Sequence, residues 1–366
     1  MKKILFITNG HGEDIVAAQI IKTLDLNALA INAMPVVGPG TAFKGLKVQL
    51  IGPKKILPGG GFGLRNFSYL IKDIFSGLIG KVIAQIKVLR KNRHKYDLVI
   101  GIGDIVPILY SILTGCDFIF VGVNKSAYYK RLAFNYTGFE KWLLKKYCKL
   151  TLARDQKTAS ELVASGIKAK YVGNPMMDTV VKGTGAKRSA VRRSNIIGFL
   201  PGTREDAYKN IEDFYKIVWQ INRLDKRIDF VLSFPETLDK KRLGKMPSKV
   251  PVMICSDFKK VLESSTIIIG LSGTGNEQAA GVGLPVIAFP GRGAQFNFKF
   301  AKGQKELLGN SLLLLPRDSQ MIANSAITLI YNKRGIASMA HEGRKRMGRP
   351  GASRKIAKIV QKEIGI

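Results

Sequence analysis

The chain has 366 residues and is 46% hydrophobic, which is typical of a globular protein with sizeable cores and excludes a disordered chain. No uninterrupted apolar run approaches the roughly 20 residues that span a bilayer. The net charge of +33 predicts attraction to phosphorylated substrates, anionic lipid or nucleic acid without choosing among them, and a general lysine bias would produce the same charge.

Cysteine usage and the first residues indicate a cytoplasmic protein. Cys116, Cys148 and Cys255 stand far apart and form no Cys-x-x-Cys pair, so neither a disulfide framework nor a zinc site is expected. The start, Met1–Gly10, has no small-residue cleavage site and is predicted to be a strand instead of a signal peptide. No nucleic-acid-binding signature is present, so no specific nucleic acid is expected as a partner.

Short apolar runs alternate with longer amphipathic runs, which predicts an α/β protein with parallel sheets and crossover helices. The pattern predicts two Rossmann-like domains whose sheets face a cleft. Their predicted limits are 1–178, a linker at 179–194, 195–340 and a basic C-terminal helix at 341–366. The predicted strands of the first domain are Lys3–Thr8, Ala28–Met34, Val48–Ile51, Leu98–Ile102, Phe118–Val121, Lys149–Ala153 and Lys170–Val172. Those of the second are Asn195–Leu200, Ile228–Leu232, Val252–Cys255, Thr266–Leu271, Val286–Phe289 and Leu312–Leu315.

The loop after the first strand carries candidate acid–base residues. It reads Asn9-Gly-His-Gly-Glu-Asp14 and leads into a helix, so it lies at the carboxyl edge of the sheet, where open α/β folds bind ligands. Two acids follow the glycines and would repel a pyrophosphate, so no dinucleotide cofactor is expected. His11, Glu13 and Asp14 are candidates for acid–base work on an acceptor. The alternative is that the two acids only favour the helix N-terminus electrostatically.

A second candidate acid, Asp104, follows the strand Leu98–Gly103 at the same predicted edge. It stands clear of other charges in sequence and is the first choice for general base. The alternative is that it only caps the helix that begins before Pro107. Further along, Asn124–Arg131 is a cationic and aromatic loop suited to a phosphorylated or lipid-linked acceptor.

A long amphipathic segment, Leu64–His94, is predicted to be helical. Its apolar stripe predicts either ordinary core packing or a helix lying in a membrane interface, which its basic end would favour. The residues of the stripe are Phe67, Leu70, Ile71, Ile74, Phe75 and Leu78.

The second domain contains a predicted anion site. The buried run Ile267–Leu271 ends in a turn, Ser272-Gly-Thr274, from which a helix is expected to start. Unpaired N–H groups and the helix dipole there would bind a diphosphate, and glycines would let it approach the backbone. The alternative is that Ser272 merely caps the helix.

Two other strand ends are predicted to reach the same edge. Thr203 and Arg204 follow the strand ending at Leu200, and the Arg204 guanidinium suits a diphosphate and its leaving-group charge. Arg292 and Gln295 follow the strand ending at Phe289 and are candidates for contact with a donor sugar.

These motifs resemble those of lipid A disaccharide synthase, in the same order along nearly the whole chain. They are Leu200-Pro-Gly-Thr-Arg204, Val172-Gly-Asn-Pro175, Asp104 after Leu98–Gly103, and Ser272-Gly-Thr274 leading to Gly283-Leu-Pro285. The closer resemblance is to lipid-A-disaccharide-synthase-related proteins, which carry similar Asn-Gly-His-Gly-Glu-Asp and Thr-x-x-Glu-Gln-Ala stretches.

The resemblance implies the two-domain glycosyltransferase B-type fold, with a UDP-sugar in the second domain and an acceptor in the first. Arg204 and Ser272-Gly273-Thr274 would hold the diphosphate, Asp104 would lie near the acceptor hydroxyl, and the last helix would cross back to the first domain. The implied enzyme is an inverting hexosyltransferase of lipid biosynthesis that needs neither metal nor cofactor. Its lipid or lipid-linked acceptor and the anionic membrane would place it on the inner face of the cytoplasmic membrane.

The sequence departs from the family at three places. Related enzymes have a Glu seven residues before the proline of the Ser272 motif, whereas here Gln278 stands there and Glu277 precedes it; both are ribose candidates because one residue turns a helix by about 100°. The family's Gly-His-Pro is here Gly173-Asn174-Pro175. The N-terminal loop also differs, so an acceptor other than the lipid A precursor is expected.

Three other functions remain compatible with the sequence. A UDP-N-acetylglucosamine 2-epimerase would share the fold but act on the nucleotide sugar alone, with no need of the amphipathic segment. A nucleic-acid-binding protein would show salt-sensitive binding without nucleotide-sugar preference. A membrane-bound regulatory protein with an inactive transferase fold would bind lipid without turning over a donor.

Overall fold

The computed structural model describes residues 1–53, 77–130, 134–180, 195–236, 238–244, 250–293 and 295–366. The chain divides into an N-terminal unit, Met1–Thr179 with Pro350–Ile366, and a C-terminal unit, Val180–Arg349. Most of the predicted linker at 179–194 lies outside the described residues, so the linker stays a prediction.

The N-terminal unit is built on a seven-stranded parallel sheet in the order β3-β2-β1-β4-β5-β6-β7. The strands are β1 Lys2–Thr8, β2 Leu29–Pro35, β3 Gln49–Leu50, β4 Leu98–Gly103, β5 Phe118–Gly122, β6 Leu150–Ala153 and β7 Ala169–Tyr171. Its helices are α1 His11–Ile21, α2 Leu78–Lys91, α3 Ile105–Leu113, α4 Gly138–Tyr147 and α5 Gln156–Ala164. The order places β1, β4 and β5 side by side in the centre, so the loops that follow them meet at one edge.

Alternation along the strands gives this sheet a core on each face. Ile4 and Phe6 of β1 belong to one buried cluster, and Leu5 and Ile7 belong to the other. The central strand β4 is buried along its whole length. A side chain at Gly101 would lie 2.9 Å from Ser111 Oγ and 3.2 Å from the Pro107 carbonyl oxygen, so this glycine lets α3 pack directly on the strand.

The C-terminal unit has a six-stranded parallel sheet in the order β10-β9-β8-β11-β12-β13. The strands are β8 Asn195–Leu200, β9 Ile228–Ser233, β10 Met253–Cys255, β11 Ile267–Gly270, β12 Val286–Ala288 and β13 Leu312–Leu314. Its helices are α6 Asp206–Leu224, α7 Phe258–Ser264, α8 Gly273–Gly281, α9 Phe298–Leu308, α10 Ser319–Tyr331 and α11 Lys333–Met347. The predicted strands of both domains are present, so the predicted fold class of two parallel-sheet α/β domains is confirmed.

The segment 341–366, predicted as a C-terminal helix, holds the end of α11 and the whole of a last helix, α12 Ala352–Glu363. Gly348 and Gly351 separate them with φ of 80° and 106°, a backbone conformation that glycine adopts without strain. The Asp178 carboxylate accepts hydrogen bonds from the backbone N–H groups of Gly351 and Ser353, which fixes the start of α12. Ile356 and Val360 of α12 then pack in the same core cluster as Ile4 and Phe6.

The predicted amphipathic helix at 64–94 is described only in part. Residues 54–76 and the side chain of Leu78 lie outside the described residues, which removes its whole apolar stripe from the comparison. The described remainder is α2. In the described ranges, no helix combines the length and the apolar character that crossing a membrane requires.

Replacement of Ile356 by Ala tests whether α12 is an integral part of the N-terminal unit. Ile356 is fully buried, so its truncation removes apolar contacts and leaves a cavity. We expect a loss of about 2–4 kcal/mol in the free energy of unfolding, measured by urea denaturation with circular dichroism. The matched control is Ile366→Ala, because Ile366 is 43% exposed and should change stability little. Equal effects of the two changes would contradict the assigned packing.

Candidate functional site

A cluster of acids lies at the carboxyl ends of the three central strands of the N-terminal unit. Glu13 and Asp14 are in the first turn of α1, directly after β1, and Asp104 follows β4. The next strand, β5, is followed by Asn124, whose side chain reaches back to Glu13. The structure therefore brings together residues from three separate parts of the chain, as the sequence predicted for Glu13 and Asp104.

Asp104 is the N-cap of α3, so the capping alternative describes what its side chain does. Its Oδ1 accepts a hydrogen bond from the Val106 backbone N–H at 3.1 Å and another from Asn9 Nδ2 at 2.8 Å. Its second oxygen, Oδ2, takes part in neither bond. Asp104 is half-buried, so this second oxygen can still interact with a ligand at the edge of the sheet.

Glu13 is largely held out of water by its surroundings. It is 9% exposed, and its Oε1 accepts a hydrogen bond from Asn124 Nδ2. Burial raises the pKa of Glu13 above its usual range, the Asn124 hydrogen bond opposes this rise, and the nearby charges of Asp104 and Asp14 add to it. The carboxyl is thereby moved toward the range in which it exchanges protons near neutral pH.

Asp14 lies deeper, with 1% of its surface exposed. Burial raises its pKa to about 6, against a smaller lowering by the hydrogen bond that Thr8 Oγ1 donates to it. Both acids stand in the first turn of α1, so the helix N-terminus also favours their charged forms. His11 is exposed at the first position of α1, on the same loop.

Two glycines make room for Glu13. A side chain at Gly10 would lie 2.6 Å from Glu13 Oε2. Gly103 has φ of +134° and leaves a gap that a Cβ would fill at 3.4 Å from Glu13 Cγ.

The two amide donors, Asn9 and Asn124, were not selected as site residues from sequence. Their position directly after a strand end is the signal that would have found them.

The loop after β5 differs from the sequence expectation of a cationic surface for an acceptor. Lys125 is buried and forms a salt bridge with Glu140 of α4 at 2.7 Å. Ser126 Oγ donates a hydrogen bond to Asp155 at 2.7 Å, which holds the loop against α5. The charge of Lys125 is thus neutralised inside the unit, while Lys130 is exposed and Arg131 lies outside the described residues.

In the C-terminal unit, α8 begins at the turn that the sequence predicted. Ser272 is its N-cap, and Ser272 Oγ accepts a hydrogen bond from the Gly275 backbone N–H at 3.3 Å. The capping alternative is therefore observed here too. Gly273 and Thr274 form the first turn, with Thr274 exposed, and the turn is fixed from below by Asn276, which donates to the Gly270 carbonyl oxygen at 3.0 Å.

Thr203 and Arg204 follow β8, the strand that pairs with β11. The Leu271 backbone N–H donates to the Leu200 carbonyl oxygen at 2.8 Å, so the two loops leave the sheet side by side. Asn210 of α6 donates to the Pro201 carbonyl oxygen at 2.9 Å and orders the start of the loop. The predicted meeting of the Arg204 and Ser272 loops at one edge is what this pairing produces.

The remaining predicted donor residues differ in accessibility. Glu277 is buried and accepts a hydrogen bond from Gln304 of α9 at 3.1 Å, whereas Gln278 is half-buried. Gln295 is exposed, and its backbone N–H donates to Asp206 at 2.9 Å.

Arg292, in the loop after β12, is paired with acidic residues of α6. Its guanidinium forms ion pairs with Asp213 at 2.6 Å and Glu212 at 3.2 Å. The contact of Arg292 with a donor sugar stays a prediction. Within the ranges that the structure describes, no group of three or more His, Cys, Asp or Glu is arranged to hold a metal ion.

The pH dependence of stability tests the burial of Asp14. Because its folded-state pKa is raised from 3.8 to about 6, its stabilising contribution is complete below about 3.8 and is lost as the pH rises through about 6. Asn at this position still accepts the Thr8 hydrogen bond and carries no charge. We expect Asp14→Asn to gain about 2–3 kcal/mol in unfolding free energy, relative to wild type, between pH 4 and pH 7.

Urea denaturation at a series of pH values measures this gain. Asp97→Asn is a control of opposite sign, because a hydrogen bond from the Lys3 backbone N–H lowers the pKa of Asp97. The stabilising contribution of Asp97 is present above its unfolded pKa and is lost as the pH falls. Parallel pH profiles for wild type and Asp14→Asn would contradict the desolvation of Asp14.

Comparison with known proteins finds relatives of this chain by structure and none by sequence. No protein-family model matches the chain, and no curated protein sequence is significantly similar to it. Solved structures are similar over their whole length. The calicheamicin glycosyltransferase CalG4 is 15% identical with a TM-score of 0.68, covering 100% of this chain and 98% of its own.

Two further similar structures contain uridine nucleotides. The Staphylococcus aureus MnaA–UDP co-structure is 17% identical with a TM-score of 0.66, covering 100% of this chain and 97% of its own. UDP-GlcNAc 2-epimerase from Neisseria meningitidis, bound to UDP-GlcNAc, is 16% identical with a TM-score of 0.63, covering 98% and 100%. The likeness shows that the chain adopts the glycosyltransferase B-type fold expected from its sequence.

Proposed function

We propose that the protein is an inverting glycosyltransferase that moves a sugar from a UDP-sugar to a lipid or lipid-linked acceptor at the membrane surface. The observation that carries the proposal is the cluster of Glu13, Asp14 and Asp104 at the carboxyl edge of the N-terminal sheet. Desolvated carboxyl groups at a ligand-binding edge suit proton transfer from an acceptor hydroxyl. The fold and the nucleotides named for its structural relatives support a UDP-sugar as donor.

The donor is assigned to the C-terminal unit. The first turn of α8, at Ser272-Gly273-Thr274, offers backbone N–H groups and a helix dipole to a diphosphate. Thr203 and Arg204 lie on the adjacent loop, where Arg204 would stabilise the charge that develops on departing UDP without the help of a metal. Gln278 and Gln295 are more accessible than Glu277, and we assign them to the ribose and the sugar.

We assign the general base to Glu13 in preference to Asp104. The raised pKa of Glu13 brings its basicity closer to that required near neutral pH, whereas the Oδ1 of Asp104 is used to cap α3. In the proposed step, Glu13 takes the proton of the acceptor hydroxyl while the oxygen of that hydroxyl bonds to the anomeric carbon of the donor sugar. The bond between that carbon and the diphosphate breaks with its electrons on UDP, and the configuration inverts.

A UDP-GlcNAc 2-epimerase is the second candidate, favoured by the likeness to the Neisseria meningitidis enzyme. It would use the same donor site and the same acids, but it would act on the nucleotide sugar with no acceptor. Formation of an epimeric UDP-sugar in the absence of any acceptor would select this candidate. Release of UDP only when a glycolipid acceptor is supplied would select the transferase.

Direct titration with UDP and a panel of UDP-sugars tests the donor site. We expect saturable binding that is weakened about 10- to 100-fold in Arg204→Ala, because an Arg–phosphate contact contributes about 1.5–3 kcal/mol. Isothermal titration calorimetry measures the binding, at a moderate salt concentration that suppresses nonspecific ion pairing. Arg223→Ala is the matched control, since Arg223 lies in the last turn of α6 and stacks on Trp219. Binding to none of the nucleotides would refute the assigned donor.

Replacement of Glu13 by Gln tests the general base. The amide keeps the size of the side chain but cannot take a proton, so turnover should fall about 10²- to 10⁴-fold while UDP-sugar affinity stays unchanged. UDP release measures turnover, and the titration above measures affinity. Glu161→Gln on the outer side of α5 is the control. Full turnover of Glu13→Gln with loss in Asp104→Asn would assign the base to Asp104 instead.

A further inference from the structure

Three neighbouring helices of the N-terminal unit carry large apolar side chains on their outward sides. The helices α2, α3 and α4 cover one side of the sheet, and α3 packs against both of the others. Among the described side chains, five large apolar residues in the first two turns of these helices are between 38% and 59% exposed. We call this set the α2–α4 face; it consists of Ile79, Ile83, Leu109, Phe139 and Trp142.

The α2–α4 face lies toward the edge of the sheet that holds the acid cluster. A crossover helix runs antiparallel to the strands of a parallel sheet, so its N-terminus is at the carboxyl edge. Each residue of the face is in the first two turns of its helix, as the helix starts at 78, 105 and 138 show. Asp104, the N-cap of α3, marks the same edge.

The aromatic part of the face is built as an amphipathic surface. The rings of Phe139 and Trp142 stack with centroids 5.9 Å apart, and Tyr147, which ends α4 and lies outside the defined face, meets Trp142 edge-on at 6.1 Å. Lys146 Nζ lies 5.1 Å from the Trp142 ring centroid and 5.0 Å from that of Tyr147. Exposed Trp and Tyr beside lysine are the composition of protein surfaces at lipid headgroups.

Charge selects the occupant of the face. The only acid in the sequences of α2, α3 and α4 is Glu140, which is buried in its salt bridge with Lys125. Exposed basic residues follow the apolar ones along α2 and α4: Lys87, Arg90, Lys91, Lys145 and Lys146. A second copy would have to pair one positive surface with another about a two-fold axis, which is unfavourable. An anionic lipid headgroup layer complements both the rings and the charge.

We propose that the α2–α4 face docks on an anionic phospholipid bilayer and brings the acid cluster to the membrane surface. This deepens the proposed function, because it names the surface through which a lipid acceptor would be reached. Membrane binding is a separate property from donor binding. Failure of UDP-sugar titration with intact vesicle binding would therefore refute the proposed donor and leave the docking surface in place.

The chain contains two tryptophans, which provide a probe and its control. Trp142 lies on the face, and Trp219 lies on α6 of the C-terminal unit with Arg223 over its ring at 5.1 Å. Both are exposed, to 50% and 41%. The full-length variants Trp219→Phe and Trp142→Phe each leave one fluorophore. They are mixed with phosphatidylcholine vesicles that contain phosphatidylglycerol and brominated acyl chains.

We expect the emission of Trp142 to shift to the blue and to be quenched by the brominated chains, while Trp219 does not respond. Vesicles of phosphatidylcholine alone should give a weaker response. Phe139→Ser with Trp142→Ser should reduce vesicle binding in sedimentation about tenfold or more, and Trp219→Ser should not. A circular dichroism spectrum identical to that of wild type excludes misfolding as the cause.

Three results would overturn the proposal. The first is the absence of binding to anionic vesicles by the wild-type protein. The second is vesicle binding in which Trp219 responds and Trp142 does not, which would place the docking surface elsewhere. The third is a blue shift of Trp142 that depends on protein concentration without vesicles, which would assign the face to contact with a second copy.

Discussion

The desolvation of Glu13 and Asp14 is the constraint on which the candidate site depends. Two carboxyl groups in the first turn of one helix are held out of water, and burial is the main cause of the raised pKa of each. Their ionised forms are disfavoured, so they lower the stability of the fold at neutral pH. The surrounding central strands, which are buried except for the first two residues of β1, supply the packing that tolerates this cost. Such local conflict with stability is expected where chemistry is done.

The fold was predictable because its strands are short apolar runs at the centre of each unit. Burial on both faces makes a parallel strand stand out in sequence, and helix starts such as Ser272 and Asp104 coincide with capping residues. What could not be predicted is which charges are cancelled. Arg292 is paired with Asp213, which lies 79 residues away, and Lys125 is paired with Glu140, which lies 15 residues away. A pattern of charge in sequence does not contain these long-range partners.

The glycines of the Ser272 turn show how one feature can have two physical causes. Their density predicted a close approach of a ligand to the backbone. The structure gives packing reasons as well, because a side chain at Gly270 would lie 2.0 Å from Asn276 Oδ1 and one at Gly273 would lie 3.0 Å from Phe300. Gly275 similarly lies against Ser272 Oγ. The turn is thus held in one conformation by its neighbours, and a preorganised turn is what an anion site requires.

The basic residues behind the net charge of +33 fall into two groups according to what their side chains contact. Some basic side chains serve the interior by donating to backbone carbonyl oxygens: Lys81 bonds to Val37, Lys305 to Gly309 and Leu312, and Arg346 to Glu306 and Leu307. These cations stabilise loops and helix ends. The exposed lysines of α2 and α4 show no such bond in the part of the chain described, and one of them, Lys146, lies over the rings of Trp142 and Tyr147. Net charge alone therefore overstates the attraction to anions, whereas the placement of Lys146 beside exposed rings favours a membrane.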